Sequence, residues 1–261
     1  MDNKIYMEAI RNLESLYKSY LMTYKALLKE NKIDEEFKKF HIRASLIYNA
    51  KIVFTNELLS DIELEAHEYS LRLSEVWFSY EALIPIFEKM NLVLEAKKSK
   101  HHSKNVNTIQ DALKISRDPI EPTEPYGKAN FFNYDFSNTW SVSERLAPDI
   151  SLFIDNIKSI TSEDKLRKKF HEYLYYLENS SLGAQKKLIR NAHNDISNRH
   201  DVHPSDVMCI AYAIRNQYVH AGEVISGTED ESKVKCEVIK SCYYFTLITI
   251  FTIAEAILWE I

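Results

Sequence analysis

Residues 4–30 read KIYMEAIRNLESLYKSYLMTYKALLKE. Large apolar side chains recur in this stretch at intervals of three and four residues, at Tyr6, Ile10, Leu13, Leu16, Tyr17, Tyr20, Leu21, Tyr24, Leu27 and Leu28. Such intervals place side chains on one face of an α-helix, because the helix has about 3.6 residues per turn. The stretch therefore predicts a long amphipathic helix whose apolar face needs other helices to cover it.

The composition of the whole chain extends this helical pattern beyond the first stretch. Only four glycines and six prolines occur among 261 residues, and 45% of the residues are hydrophobic. Glycine and proline are common in turns, so their scarcity favours long helices with few tight turns. The chain is also long enough to bury a substantial core. We therefore expect an all-α protein built as an elongated helical bundle.

The expected bundle is a single domain over residues 1–261, and it has three parts. Residues 1–96 hold long N-terminal helices. Residues 97–140 form an irregular insertion or long connection, because prolines and aromatic residues are dense there. Its aromatic side chains are expected to anchor it on the bundle, with stacking on RNA bases as the alternative. Residues 141–261 return to helices.

Capping signals give the expected helix starts. Asp34 is expected to cap a helix that runs to about Leu59, and Asp61 a helix that runs to about Ala96. The expected starts in the last part are Ser141, Thr161, Gly183, Pro204 and Glu231.

The sequence favours a cytoplasmic protein. Its first residues, MDNKIY, lack the basic region and apolar core of a secretory signal. Three cysteines, Cys209, Cys236 and Cys242, are too few and too oddly numbered for a disulfide framework, and we expect them to be reduced core residues. Residues 242–259 are almost wholly apolar, which fits a central core helix or a membrane tail anchor. Glu255 within the stretch favours the core helix, so no membrane contact is expected.

Residues 211–222 read AYAIRNQYVHAG. In it Arg215 is followed by Asn216 and, after four intervening positions, by His220. Cutting RNA without a metal drives a 2'-hydroxyl onto its own phosphodiester, which needs a group that exchanges protons near neutrality and a fixed cation. Histidine and arginine are the residue types best suited to these two tasks.

The string resembles the R-N-x-x-x-H signature of HEPN domains, an all-helical family whose active members are metal-independent endoribonucleases. The likeness is specific over residues 211–222 and architectural elsewhere. It implies that Arg215, His220 and Asn216 are catalytic, with Arg215 on the scissile phosphate and His220 as acid or base. It also implies RNA as substrate, no cofactor and no metal. Proteins of this type recur as toxins and anti-phage defence effectors, so an antitoxin or another regulatory protein is an expected partner.

The resemblance further implies a homodimer with a composite active site, because two motifs face each other across a dimer in the family. Five positions along a helix turn by about 140°, so Arg215 and His220 are not expected to lie on one face within one chain. A second copy of the motif would bring them together. The motif helix, and the last apolar helix with it, are the expected interface.

Other interpretations of the motif stay open. Arg215 could be a salt-bridge partner, and His220 could bond the last carbonyl groups of its helix, which Gly222 would end. The protein could equally be a non-catalytic HEPN-like module that binds a partner or a nucleotide. Inactive family members typically lose the arginine or the histidine, and the presence of both favours the nuclease.

Any contact with RNA is expected to be local, because the net charge is −5 and the pI about 6.0. The expected RNA-binding residues are Lys186, Lys187 and Arg190 on the preceding helix, together with Tyr218, for which core packing is the alternative.

No metal site is expected either. The spacing of a histidine and aspartate cluster matches no standard zinc site, and its members are His193, Asp195, His200, Asp201 and His203.

Overall fold

The computed structural model describes residues 3–102, 135–136, 140–198, 202–222 and 225–261. Eight helices form this part of the chain: α1 (Asn3–Lys29), α2 (Glu35–Asn49), α3 (Asp61–His102), α4 (Val142–Ile160), α5 (Asp164–Asn179), α6 (Gly183–Asn198), α7 (Pro204–His220) and α8 (Glu229–Trp259). The only extended element in these ranges is a two-residue antiparallel pairing, of Asp135 with Ser141 and Phe136 with Trp140. The prediction of an all-α protein is confirmed.

Helix α8 lies at the centre of the bundle. It packs against α3 most extensively and then against α1, α4, α5 and α7. Residues 242–259 of α8 are apolar on nearly all sides, and such a stretch must be covered on all sides. Helix α8 is also long and apolar enough to cross a membrane, but 94% of its most apolar 18-residue stretch is buried inside the protein. Residues 242–259 are therefore a central core helix, as predicted.

The charge of Glu255 is stabilised inside this apolar helix. Its side chain is 1% exposed, and one carboxylate oxygen lies 2.8 Å from Nη1 of Arg145 on α4. The hydroxyl of Ser19 on α1 donates a hydrogen bond to the other oxygen. A buried carboxylate is costly unless it has such partners. The three residues therefore join α1, α4 and α8 at one point.

This ion pair gives a prediction about stability. Arg145→Met should lower the free energy of unfolding by about 2 kcal/mol, because it leaves Glu255 buried without a cation. The value is below that of a fully buried pair, since the Arg145 side chain is 36% exposed. Adding Glu255→Gln should recover most of the loss. Both effects are measured by unfolding in urea, provided that the slope of the unfolding free energy against urea concentration is the same for all variants. Equal midpoints for the single and double variants would contradict this account.

The N-terminal helices differ from expectation in their ends. Helix α2 ends at Asn49 rather than near Leu59, and residues 50–60 contain no helix. Ile52, Val53 and Thr55 explain the early end, because β-branched residues are poor helix formers and Val53 finds no cover, being 82% exposed. Helix α3 runs past the expected end at Ala96, because residues 94–102 are rich in good helix formers.

The caps follow the sequence signals in most places. Asp34 accepts a hydrogen bond from the Phe37 amide as predicted, but Ser60 rather than Asp61 caps α3, through a reciprocal pair with Glu63. Ser141 caps α4 as expected. Thr161 does not start α5; it ends α4, and its hydroxyl bonds back to the Ile157 carbonyl.

The expected insertion at 97–140 lies almost wholly outside the described residues, apart from the end of α3 and the two-residue strands. Cys209, Cys236 and Cys242 are free and buried, as predicted.

Candidate active site

Helix α7 carries the candidate site at its C-terminal end. It begins at Pro204 with a capping box between His203 and Asp206, and it packs on α6, α3 and α8. Gly222 follows its end with φ of +63°, a left-handed conformation that favours glycine and stops the helix. The middle of α7 is thereby fixed in the core while its last turn, with His220, is exposed.

The three residues expected to be catalytic lie together within one chain. Nη1 of Arg215 donates to Oδ1 of Asn216 at 2.9 Å and contacts Nε2 of His220 at 3.0 Å. Arg215 is 7% exposed, Asn216 is half-buried and His220 is exposed. The cluster therefore has a buried cation at its base and an imidazole at the surface.

Arg215 and His220 meet within one chain, although the backbone does not place them on one face of the helix. Helix α7 is regular to His220, so the two Cα atoms are separated by the expected turn of about 140°. The arginine side chain is long and flexible, and it reaches around the helix to the ring. The angle between two positions on a helix does not account for the length of an arginine side chain.

The contact also sets the direction of the hydrogen bond between the two side chains. A guanidinium group only donates hydrogen bonds, so Nε2 of His220 accepts this one from Nη1 of Arg215. The lone pair of Nε2 is then directed at Arg215, and it can serve as a base toward a substrate once that hydrogen bond is released.

The charge of Arg215 is not neutralised within the described ranges of the chain. No carboxylate pairs with it there, although a buried charge is normally paired. Nε is buried without a hydrogen-bond partner, and Nη2 has none among the described residues. These two atoms form one edge of the planar group, which binds a phosphate through two hydrogen bonds. An anion that reached this edge could accept both hydrogen bonds.

Two further residues surround the guanidinium, and neither was found from the sequence. The ring centroid of Phe78 on α3 lies 4.8 Å from Cζ of Arg215 and 4.8 Å from Cζ of Arg43 on α2. Both distances are within the range of a cation–π interaction. No local signal marks Phe78 or Arg43, because only the packing of α2, α3 and α7 brings them to the motif.

Tyr218 lies on a different side of α7 from the cluster. It is half-buried, its ring is 6.1 Å from that of His67 on α3, and burial raises its pKa. His67 in turn accepts a hydrogen bond from the Ile225 amide at 3.2 Å. These contacts favour the packing role for Tyr218 over contact with RNA.

The basic residues of α6 are partly committed to contacts within the chain. Arg190 pairs at 2.7 Å with Glu178, which is 5% exposed, and Nζ of Lys186 bonds Oδ1 of Asn179 at 2.9 Å. Lys187 is exposed. Among the described residues, Lys187 therefore has no ion pair or side-chain hydrogen bond, unlike Lys186 and Arg190.

Two described histidines of the histidine and aspartate cluster have contacts of their own. His193 contacts His171 at 3.2 Å between ring nitrogens, and His203 caps α7 through Nδ1. Burial lowers the pKa of both His193 and His171. His200 and Asp201 lie outside the described residues. Within the described ranges no group of three histidine, cysteine or carboxylate side chains could hold a metal.

Comparison of the chain with protein-family models, with curated proteins and with solved structures finds no match. The candidate site is therefore defined by its own geometry.

Proposed function

We propose that the protein is a metal-independent endoribonuclease of the HEPN type, acting in the cytoplasm as a toxin or an anti-phage defence effector. The observation that carries the proposal is Arg215: a buried guanidinium that pairs with no carboxylate among the described residues, whose Nε has no hydrogen-bond partner there and whose Nη1 contacts Nε2 of His220. A structural arginine would be expected to have a carboxylate partner. An anion-binding arginine beside a base is the pair that transesterification of RNA requires.

The geometry gives each residue a chemical role. When Arg215 turns from His220 to the phosphate, Nε2 of His220 takes the proton of the 2'-hydroxyl, and the 2'-oxygen attacks the adjacent phosphorus. The bond from phosphorus to the 5'-oxygen breaks, which leaves a 2',3'-cyclic phosphate and, once that oxygen is protonated, a 5'-hydroxyl. Arg215 stabilises the charge that builds on the phosphoryl oxygens. Asn216 holds Nη1 of Arg215 and so orients the guanidinium.

The leaving oxygen is the reason to propose a homodimer. Attacking and leaving oxygens lie on opposite sides of the phosphorus, so a single imidazole cannot serve both at once. A second copy facing the first would supply its His220 as the acid. The interface would involve the exposed end of α7, where Val219 is 41% exposed. Helix α8 was also expected there; most of its apolar residues are buried in the core, and Trp259 at its end is 46% exposed.

The dimer can be tested at Val219. Val219→Glu should weaken self-association by tenfold or more, because a two-fold interface places the new carboxylate against its own copy in a poorly solvated contact. RNA cleavage should fall with it. Sedimentation equilibrium and a cleavage assay at the same protein concentrations measure both quantities.

Met22→Glu is the matched control, because Met22 is 74% exposed on α1. It should leave both quantities unchanged. A wild-type protein that is monomeric and fully active at assay concentrations would exclude the dimer.

The function itself is tested by incubating the purified protein with RNA oligonucleotides in excess chelator and identifying the ends of any products. Cyclic phosphate and 5'-hydroxyl ends are expected. The alternative, a non-catalytic module that binds a nucleotide or a partner, would use the free edge of Arg215 without proton transfer at His220. Binding of an oligonucleotide without any cleavage would favour that alternative.

A further inference from the structure

The ring of Phe78 brings a second arginine to the candidate site. Cζ of Arg43 and Cζ of Arg215 each lie 4.8 Å from its centroid, so the two cations are separated by at most twice that distance. Like charges are not brought this close without a reason, since they repel each other. An anionic ligand that contacts both would turn the repulsion into attraction.

Arg43 differs from Arg215 in being accessible. Its side chain is 45% exposed, and its carboxylate partner is Glu75 at 3.2 Å, which is 36% exposed. Exposed ion pairs of this kind are weak, so a phosphate can replace Glu75 at small cost. Arg190 is the opposite case, because its partner Glu178 is buried and would be left uncompensated. Arg43 is therefore the guanidinium best placed to bind a second phosphate.

We infer that Arg43 binds the phosphate next to the one held by Arg215, so that a single RNA strand crosses α3 on its way from α7 to α2. This inference rests on the proposed function, since it extends the same site along the substrate. The upper limit on the separation of the two guanidinium groups, set by their distances to the Phe78 ring, allows them to contact neighbouring phosphates of one strand. Phe78 positions both groups, because its ring contacts each of them.

The substrate class follows from this path. Two phosphates held across one aromatic ring require a strand that can bend over α3, which single-stranded RNA can do and a stiff duplex cannot. Arg43 and Arg215 would contact phosphates and no bases, so they would recognise the charge and the spacing of the phosphates but not the sequence. We therefore expect single-stranded substrates with a preference for length over sequence: a strand with a phosphate on either side of the cut binds better than a dinucleotide.

The experiment measures binding, so that it does not depend on cleavage. The probe is a fluorescent single-stranded oligoribonucleotide with 2'-O-methyl groups throughout, which cannot be cut. Arg43→Gln should weaken its binding about tenfold and lower the slope of log K against log salt by about 0.7, the value for one lost phosphate contact. Arg43→Lys should keep the slope, because it keeps the charge, while losing part of the affinity.

The matched control is Arg167→Gln. Arg167 lies on α5, its side chain is 50% exposed, and it also pairs with an exposed carboxylate, that of Asp164. The same change of charge there should leave both affinity and slope at the wild-type values. An equal loss for Arg43→Gln and Arg167→Gln would show a general charge effect and overturn the inference.

Single methylphosphonate substitutions in the probe then locate the contact. One neutralised phosphate, beside the one that responds to Arg215→Gln, should weaken wild-type binding and have no further effect on Arg43→Gln. Normal binding by Arg43→Gln, with RNA still cut by the wild type, would overturn this inference and leave the proposed function standing. Absence of both binding and cleavage in the wild type would overturn both.

Discussion

His220→Ala and Arg215→Ala should each lower the rate of RNA cleavage by on the order of 10² to 10⁴, the expected loss when a proton-transfer group or a charge-stabilising donor is removed. The two residues contact each other at 3.0 Å and are proposed to act in one step, so the double variant should be little worse than either single variant. Single-turnover cleavage of a labelled oligonucleotide measures the three rates.

More conservative substitutions separate chemistry from folding. His220→Asn retains an acceptor for Nη1 of Arg215 but cannot take a proton, so it should be as inactive as His220→Ala. Arg215→Lys retains the charge but loses the planar fork and the second hydrogen bond, and it should recover only a small part of the rate. Wild-type rates for His220→Asn, in a protein that melts normally, would remove His220 from the mechanism.

A 2'-deoxy substitution at the cleavage position abolishes cutting, since it removes the oxygen that attacks phosphorus. The all-RNA oligonucleotide should be cut at the same rate with and without excess chelator, because neither Arg215 nor His220 belongs to a group of metal ligands in the described structure. Denaturing electrophoresis resolves all four reactions, and treatment with phosphatase identifies the cyclic phosphate end.

Each arm of this experiment can fail separately. Cutting of the deoxy substrate would mean that water or another nucleophile attacks, and His220 would then have a different role. Loss of cleavage in chelator would point to a bound metal and a hydrolytic mechanism. A protein that binds the deoxy oligonucleotide without cutting it is expected, since the phosphates that Arg215 and Arg43 are proposed to hold are present in both substrates.

Local features of the sequence predicted much of the helical framework. The periodicity of residues 4–30 predicted α1, and the capping box at Ser141 and the proline at position 204 marked the starts of α4 and α7 through rules that act over three or four residues. Thr161 shows where such rules mislead. Its hydroxyl could either cap the start of the next helix or donate a hydrogen bond back into the previous one. It donates to the carbonyl of Ile157 in the previous helix.

The candidate site was predictable only in part, for a related reason. Arg215, Asn216 and His220 are neighbours in sequence, so the motif identified them together. Phe78 and Arg43 are more than 130 positions away from Arg215 along the chain. They belong to the site because α3 packs between α2 and α7, and no pattern within one helix carries that information. The reach of the Arg215 side chain was likewise invisible to arguments from backbone spacing.

The central place of α8 has a consequence for the time at which activity appears during synthesis. The hydroxyl of Tyr6 on α1 donates a hydrogen bond to the carboxylate of Glu237 on α8, so the first described helix is bonded to the last one. Until α8 emerges, α1, α3 and α4 have no common surface to pack on, and α7 lacks one of its supports. Contacts of such long range also form slowly. The order of translation thus delays assembly of the Arg215 site until α8 has left the ribosome.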